Sequence, residues 1–380
     1  MKYLILIWFI MISRIAYAQD SLPTNPKLSL SGYIKDLQWV RFDKNFKHAY
    51  ATNLVHNRLN LKWKPSNKIN GRLEIRNRFY WGDDVKMIPG FKALLRNQNE
   101  AVDLSVLWLD NQSNLMHTNV ERLWLEYRKT KWNLRAGRQR INWGITNTWN
   151  PNDLFNTYNF LDFDYEERPG SDAVKMQYMV NDRSHIEFAF AGTNDKPITA
   201  IKYFTNYKKY DLQAIAGLHQ NFFTAGLGWA GSIGDAGFKG EAQYFAGKKD
   251  TASQLNITME ADYIFESGWY VSSAVLYHQN GLNGPVTDWT KVNFQAAPTQ
   301  LMPGKWNILL ITSREFTPRF NGTMSLVFSP GMNMLILFPS FKYNLTKDLD
   351  ADLVWQSFFT ELNTFGAVSH TGFFRLKYSF

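Results

Sequence analysis

From residue 28 onward, apolar and polar positions alternate with a period of two, in blocks separated by turn residues. In "IEFAF", Ile186, Phe188 and Phe190 share one face. In "ITMEADYIF", Ile257, Met259, Ala261, Tyr263 and Phe265 oppose Thr258, Glu260 and Asp262. In "LDADLVWQSFF", Leu349, Ala351, Leu353, Trp355 and Phe359 oppose Asp350, Asp352 and Gln356. Such a block is a strand with one face on something apolar and the other on water. The pattern predicts 18 strands, near 28–41, 52–64, 70–82, 117–129, 132–143, 171–180, 184–192, 198–207, 210–219, 222–232, 237–246, 254–265, 268–278, 306–315, 318–328, 332–345, 349–360 and 368–380. The expected fold is all-β: a transmembrane antiparallel barrel of about 18 strands (16–18), since single-chain bacterial barrels carry an even number. Acids at Glu260, Asp262, Asp350 and Asp352 suit a watered lumen better than the dry interior of a soluble sandwich.

The connections sort into two sets. Alternate ones are tight and rich in Asn, Asp, Gly or Pro: "KPSNKIN", "RKTKW", "VNDRS", "YKKYD", "GDAG", "ESG", "FTPRFN" and "TKDLD". These are hairpin turns. The other set holds every long connection, about 83–116, 144–170 and 279–305. Short turns at one end and long loops at the other are the outer-membrane arrangement, and the parity places both termini in the periplasm.

Face assignment gathers positive charge on one wall of the lumen. With Leu59, Leu61 and Trp63 outward, Arg58 and Lys62 point in. With Leu73 and Ile75 outward, Arg72, Glu74 and Arg76 point in. With Leu123, Leu125 and Tyr127 outward, Arg122, Glu126 and Arg128 point in, and Arg135 follows on the next strand. Arg375 and Lys377 join them from the closing strand, while Glu260, Asp262, Asp350 and Asp352 lie across the lumen. An arginine facing lipid near the midplane costs roughly 2–4 kcal/mol, so the inward assignment is the stable one. Arg138 and Arg140 fall on the outward parity, which calls for a bulge at Gly137 or for a strand that has left the hydrocarbon, with the arginines at lipid phosphates.

Composition changes the picture mainly at the N-terminus. "MKYLILIWFIMISRIAYAQ" has a basic start, an apolar run and a small-x-small site at Ala16-Tyr17-Ala18, the pattern of a secretory signal peptide over 1–18. A short periplasmic segment (19–27) and the barrel (28–380) follow. The chain has no cysteine, so neither a disulfide framework nor a lipidated cysteine is open to it. Aromatic residues make up 16% of the chain, enough to supply the girdles of a membrane barrel. The net charge of +9 would suit a nucleic-acid partner in another setting; in an exported chain it directs attention to the lumen instead.

Two segments carry a resemblance. "FFRLKYSF", with Phe374, Leu376, Tyr378 and Phe380 alternating, resembles the C-terminal signal that outer-membrane proteins present to their insertion machinery. "AGRQRINWGITNTWNPNDLFNTYNFLDFDYEERPG" resembles the porin superfamily that includes alginate-export channels, in which a Gly-Arg-Gln strand end and a Trp-Gly precede a loop bearing Asn-Pro and Arg-Pro. The resemblance implies that Arg138, Gln139, Trp143, Gly144, Asn150, Pro151, Asp153, Arg168 and Pro169 shape an infolded constriction loop. Enzyme parts are not found: the seven histidines show no metal spacing and no G-x-S-x-G elbow occurs, so neither catalysis, cofactor nor metal is expected. The expectation is a passive outer-membrane channel for small anionic or sugar-like solutes. Its partners would be outer-membrane lipid and lipopolysaccharide, the insertion machinery, and further copies or other outer-membrane proteins. The alternative is a non-conducting barrel subunit of a secretion, assembly or uptake complex, with the apolar "MIPGFKALL" segment plugging the pore or binding a partner.

Overall fold

A computed structural model describes residues 27–95, 100–157, 159–162, 164, 169–248, 251–288, 292 and 294–380. The proposed signal peptide, nearly all of the segment 19–27, and Arg168 lie outside the described residues. The strands are β1 (Leu28–Asp43), β2 (Ala49–Trp63), β3 (Ile69–Gly82), β4 (Ser105–Asp110), β5 (Asn114–Lys129), β6 (Trp132–Gln139), β7 (Ser171–Asn181), β8 (Ser184–Gly192), β9 (Ile198–Tyr207), β10 (Tyr210–His219), β11 (Phe222–Ile233), β12 (Ala236–Phe245), β13 (Gln254–Ile264), β14 (Trp269–His278), β15 (Trp306–Thr317), β16 (Phe320–Ser329), β17 (Met334–Asn344), β18 (Leu349–Glu361) and β19 (Phe365–Ser379). Every pairing between neighbours is antiparallel, and β1 closes on β19 from Tyr33↔Ser379 to Asp43↔Ser369. β4 pairs only with β5, so the closed barrel has 18 strands.

The two faces invert the arrangement of a soluble protein. Leu125, Leu227, Ile201, Phe190 and Leu353 are exposed on the outer surface, while Lys35, Glu74, Glu241, Asn256 and Thr258 are buried inside. Period-two alternation produces this inversion directly, because each strand gives one face to each environment. Phe380 extends the seam: it exchanges backbone hydrogen bonds with Gly32, at 2.8 and 2.9 Å. Its ring lies where a side chain on Gly32 would have to stand.

Two departures from plain alternation matter for the lumen. A bulge between Glu74 and Ile75 pairs Glu74 with Arg122 and Ile75 with Val120, leaving Glu121 as the extra residue on β5. The bulge resets parity. Leu115, His117 and Asn119 above it therefore share the inner side with Arg122 and Glu126 below it. The second departure is that β6 is short. Where it stops, β4 takes its place beside β5: Leu123–Lys129 face β6, and Leu115–Asn119 face β4. The predicted span 132–143 overran the strand because the chain turns into the lumen after Gln139.

Gly137 lies one residue before Arg138 with φ 113°, a conformation reserved for glycine. A Cβ there would sit 3.0 Å from Trp124 Cα and closer still to the Leu123 carbonyl oxygen. Gly137→Ala is expected to destabilise the barrel by about 1–3 kcal/mol. Urea unfolding of the refolded protein followed by tryptophan fluorescence would measure it.

Candidate functional site

The loop between β6 and β7 runs into the barrel and crosses it. Its departure is fixed by Gln139, whose Nε2 donates to the carbonyls of Arg135 and Ala173, at 3.2 and 2.9 Å. Ile141, Trp143, Leu154 and Phe155 then bury themselves against Ala173, Ala189, Ala191, Ile198, Ala200, Ile215 and Phe245. The alanines on the inner faces of β7, β8 and β9 leave room for this layer. Trp143 is tied down three ways: Nε1 donates to Glu187 (3.0 Å), its carbonyl accepts from Gln213 (2.7 Å), and its N–H donates to Asp153 (3.3 Å). The Asp153 N–H donates to the Asn150 carbonyl at 3.1 Å, closing a tight turn. Trp143, Asn150 and Asp153 lie together on this infolded loop.

Two wall carboxylates hold the next stretch. Glu241 on β12 is fully buried and accepts the backbone N–H groups of Ile145, Thr146 (2.8 Å) and Asn152 (2.9 Å), together with the Thr146 hydroxyl (3.1 Å). Glu260 on β13 accepts the N–H of Asn147 (3.0 Å) and that residue's Nδ2 (2.6 Å). Asp262 pairs with Lys239 at 3.0 Å. Glu260 and Asp262 thus line the lumen by register, but Glu260 carries the loop instead of facing open water.

The same loop reaches the opposite wall through the side chain of Asp164. Asp164 Oδ1 lies 3.1 Å from Lys35 Nζ and 3.2 Å from Arg375 Nη1, and Oδ2 lies 3.3 Å from His56 Nε2 and 3.7 Å from Arg76 Nη2. Burial pushes the Asp164 carboxyl up, but the His56 hydrogen bond and the charges of Lys35, His56 and Arg76 outweigh it and hold the group well below the usual carboxylate range. Phe160 and Leu161, just before it, pack on a second cluster around Trp149, Leu276, Leu309 and Met334. From the loop between β3 and β4, Phe91 and Leu95 pack on Leu37, Leu54, Tyr80 and Leu115.

The basic wall is organised two cations to one carboxylate. Arg58 and Arg72 both pair with Glu74. Arg128 (2.7 Å) and Arg135 (2.6 Å) both pair with Glu126, and Arg135 also stands 4.2 Å over the Trp124 ring. Arg122 donates to the Glu121 carbonyl at 2.7 Å, and Arg76 lies 3.9 Å from the Glu121 carboxylate. Arg375 pairs with Asp352 (3.0 Å) and Lys342 with Asp350 (2.9 Å). Lys377 lies over the Tyr33 ring at 5.1 Å, and Lys62 is exposed towards the turn end. Among the described residues, two arginines share each of Glu74 and Glu126.

Several residues of this constellation escaped the sequence reading. Lys35 follows from the alternation of β1, with Leu37 and Trp39 on the same side, and His56 from β2. His117, Asn119 and Glu121 were hidden by the bulge. Asp164 carried no periodic signal, because it sits in a loop.

Arg138 obeys neither alternative raised by its parity. It stays on the outward side opposite Asp172, yet it is 2% exposed. The chain leading into β4 folds over it from outside. Its guanidinium donates to Asp172 (2.8 and 3.0 Å), to the Val120 carbonyl (2.9 Å) and to the Val102 carbonyl, with Glu100 at 3.2 Å. Asp172 in turn accepts the N–H groups of Ala101 and Val102, both at 2.9 Å. Arg138 thus clamps the wall from outside and is not part of the constriction.

Above the crossing loop, at the loop end, lies a vestibule of about 750 Å³. Its lining mixes amides and hydroxyls, Asn119, Asn159, Gln220, Gln295 and Gln300 among them, with Arg78 and the carboxylates Glu121 and Asp195.

The chain matches no protein-family model and no curated protein sequence. Solved structures do resemble it. Acinetobacter baumannii OccAB4 superposes with a TM-score of 0.61 at 9% identity, covering 94% of this chain and 99% of that one. The outer membrane protein OpdK of Pseudomonas aeruginosa gives 0.59 at 8% identity, covering 93% and 98%. Pseudomonas aeruginosa OccK11 (OpdR) gives 0.57 at 9% identity, covering 93% and 95%. At such identities the likeness is one of fold, and the fold shared over the whole length is a closed antiparallel barrel that at least one of these proteins forms as an outer membrane protein.

Proposed function

We propose that the chain is an outer-membrane channel that passes small anionic or sugar-like solutes by diffusion, with the loop end outside and both termini in the periplasm. The observation that carries this reading is that, among the described residues of the lumen wall, two arginines share Glu74 and two share Glu126. A wall that only filled the barrel would pair its charges one to one. A surplus raises the local concentration of anions and orients those that enter. The apolar outer face fits a bilayer, and the signal peptide expected over 1–18 would fit the same location. No part of this reading calls for catalysis.

Single-channel conductance in planar bilayers, with the reversal potential in a salt gradient, tests it. Open steps with anion preference are expected, and Arg72→Glu/Arg76→Glu/Arg122→Glu is expected to shift the reversal potential to the cation side. The dry packing of Ile141, Trp143, Leu154 and Phe155 in the lumen favours a second reading, a closed accessory subunit. Silence from folded, membrane-inserted protein would select it.

A further inference from the structure

We infer that the outer faces of β1, β2, β3 and β5 form an interface through which two copies of this chain pair in the bilayer. A polar stripe crosses these faces. On β2 and β3, His56↔Arg78 and Arg58↔Arg76 point into the lumen, so Asn57 and Asn77, paired between them, point out. Asn77 Nδ2 donates to Asn57 Oδ1 at 2.8 Å, Thr118 Oγ1 to Asn77 Oδ1 at 2.6 Å, and Trp108 Nε1 to Thr118 Oγ1 at 2.9 Å. On β1, whose Lys35, Leu37 and Trp39 face in, Asp36 and Gln38 complete the stripe, with Gln38 opposite Asn53 in the ladder.

The stripe lies within the apolar band and not at its edge. Leu59↔Ile75 and Leu61↔Leu73 flank it on the turn side, and Val55↔Phe79 interrupts it towards the loop end. Asp36 and Gln38 stand opposite Leu376 and Phe374 of the closing strand. Farther round the barrel, outward positions are apolar, Phe188, Phe190, Ile201, Leu212, Leu227 and Met259 among them. An amide set against hydrocarbon loses water and gains nothing in return, and a carboxylate loses more. Among the described residues, Asp36 accepts one side-chain hydrogen bond, from Gln38 Nε2 at 3.4 Å, and the Asn53 amide has no partner.

A second copy supplies the partners that lipid lacks. Carboxamides both donate and accept, so the stripe is complementary to itself, and polar side chains hold membrane-embedded segments together. A patch that pairs with itself does so about a two-fold axis. Both copies cross the membrane in the same sense, so the axis runs along the membrane normal and brings equal depths together. With the axis near Asn57 and Asn77, the β1 end of one stripe meets the β5 end of the other. Asp36 then faces the Thr118 side of its neighbour, and the two carboxylates stay apart. Val55 and Phe79 pack between the copies. The inference rests on the bilayer location proposed above and not on conduction.

The chain has no cysteine, so a single one can be introduced as a probe. In membranes of cells expressing the full chain, a short bis-maleimide is expected to join Asn57→Cys into a dimer and to leave Leu227→Cys, on an apolar face, single. Sedimentation equilibrium of the wild type in detergent should give the mass of two chains. Asp36→Leu/Asn57→Leu/Asn77→Leu, checked for folding by circular dichroism, is expected to weaken dimerisation at least about tenfold. Asn77→Leu alone should lose part of it, and decides the matter if the triple variant misfolds. A monomer in both assays, undiminished dimers in the leucine variants, or equal cross-linking of Leu227→Cys overturns the interface. A trimer overturns the two-fold pairing, and an adduct of Asn57→Cys with a different protein overturns the second copy as occupant. Alkaline carbonate washing separates the two readings: release from the membrane removes the bilayer location and this inference with it, whereas a retained monomer removes this inference alone.

Discussion

Replacing Glu241 with alanine is expected to detach residues 145–152 from the lumen wall, expose the crossing loop to protease, and raise channel conductance. The backbone N–H groups of Ile145, Thr146 and Asn152 and the Thr146 hydroxyl all end on this one buried carboxylate. Each stranded buried donor costs about 1–3 kcal/mol. Three of them would therefore shift the balance between docked and released loop by roughly 3 kcal/mol or more, a factor on the order of 100 or above. Glu241→Gln keeps one acceptor oxygen and should lose less. Limited proteolysis of the refolded variants measures the release directly, and bilayer recording measures its effect on current. Unchanged protection in Glu241→Ala would show that the apolar layer under Trp143 and Phe155 holds the loop without help.

The barrel was legible because its two environments are opposite in polarity. β8, β9 and β10 read directly from alternation, and their bounds coincide with the spans expected from sequence. Where alternation was interrupted, the reading failed for identifiable reasons. β4 is six residues of largely exposed backbone with no inner face to protect, so "SVLWLD" carries no alternating signal. The bulge at Glu121 changes parity within β5, and no local feature of "NVERLW" announces that shift.

The site was legible only in its wall. Arg58, Arg72, Arg76, Arg122 and Arg135 follow from strand parity, because the cost of placing arginine against lipid leaves them one direction. What they meet does not follow from parity. The opposing acids Glu260 and Asp352 were read as counter-charges across water, whereas Glu260 holds loop backbone and Asp352 pairs with Arg375 on the neighbouring strand. Asp164 could not be placed from sequence at all, since its partners lie on strands at both ends of the chain. Local pattern specifies which face a residue occupies; long-range closure specifies which charges share a point in space.

Arg138→Ala is expected to destabilise the barrel more than removal of any one lumen arginine. Arg128, by comparison, is about half exposed and shares Glu126 with a second arginine, so its loss is cushioned by water and by Arg135. Arg138 is buried, and it bridges Asp172 to Glu100 while donating to the Val120 and Val102 carbonyls. Its removal would leave two carboxylates facing each other under the covering chain. Breaking a buried ion pair in this way costs about 3–5 kcal/mol. Arg138→Lys should recover only part of that, because an ammonium cannot reproduce the planar fork that serves four acceptors. Arg138→Ala/Glu100→Gln should be less unstable than Arg138→Ala alone, since it also removes one of the stranded charges. Urea unfolding midpoints for the set would decide the matter. If the single and double variants unfolded together, with Arg138→Ala near the wild type, the clamp would be no more than a surface contact, and the segment from Glu100 to β4 would have to be held by its pairing with β5.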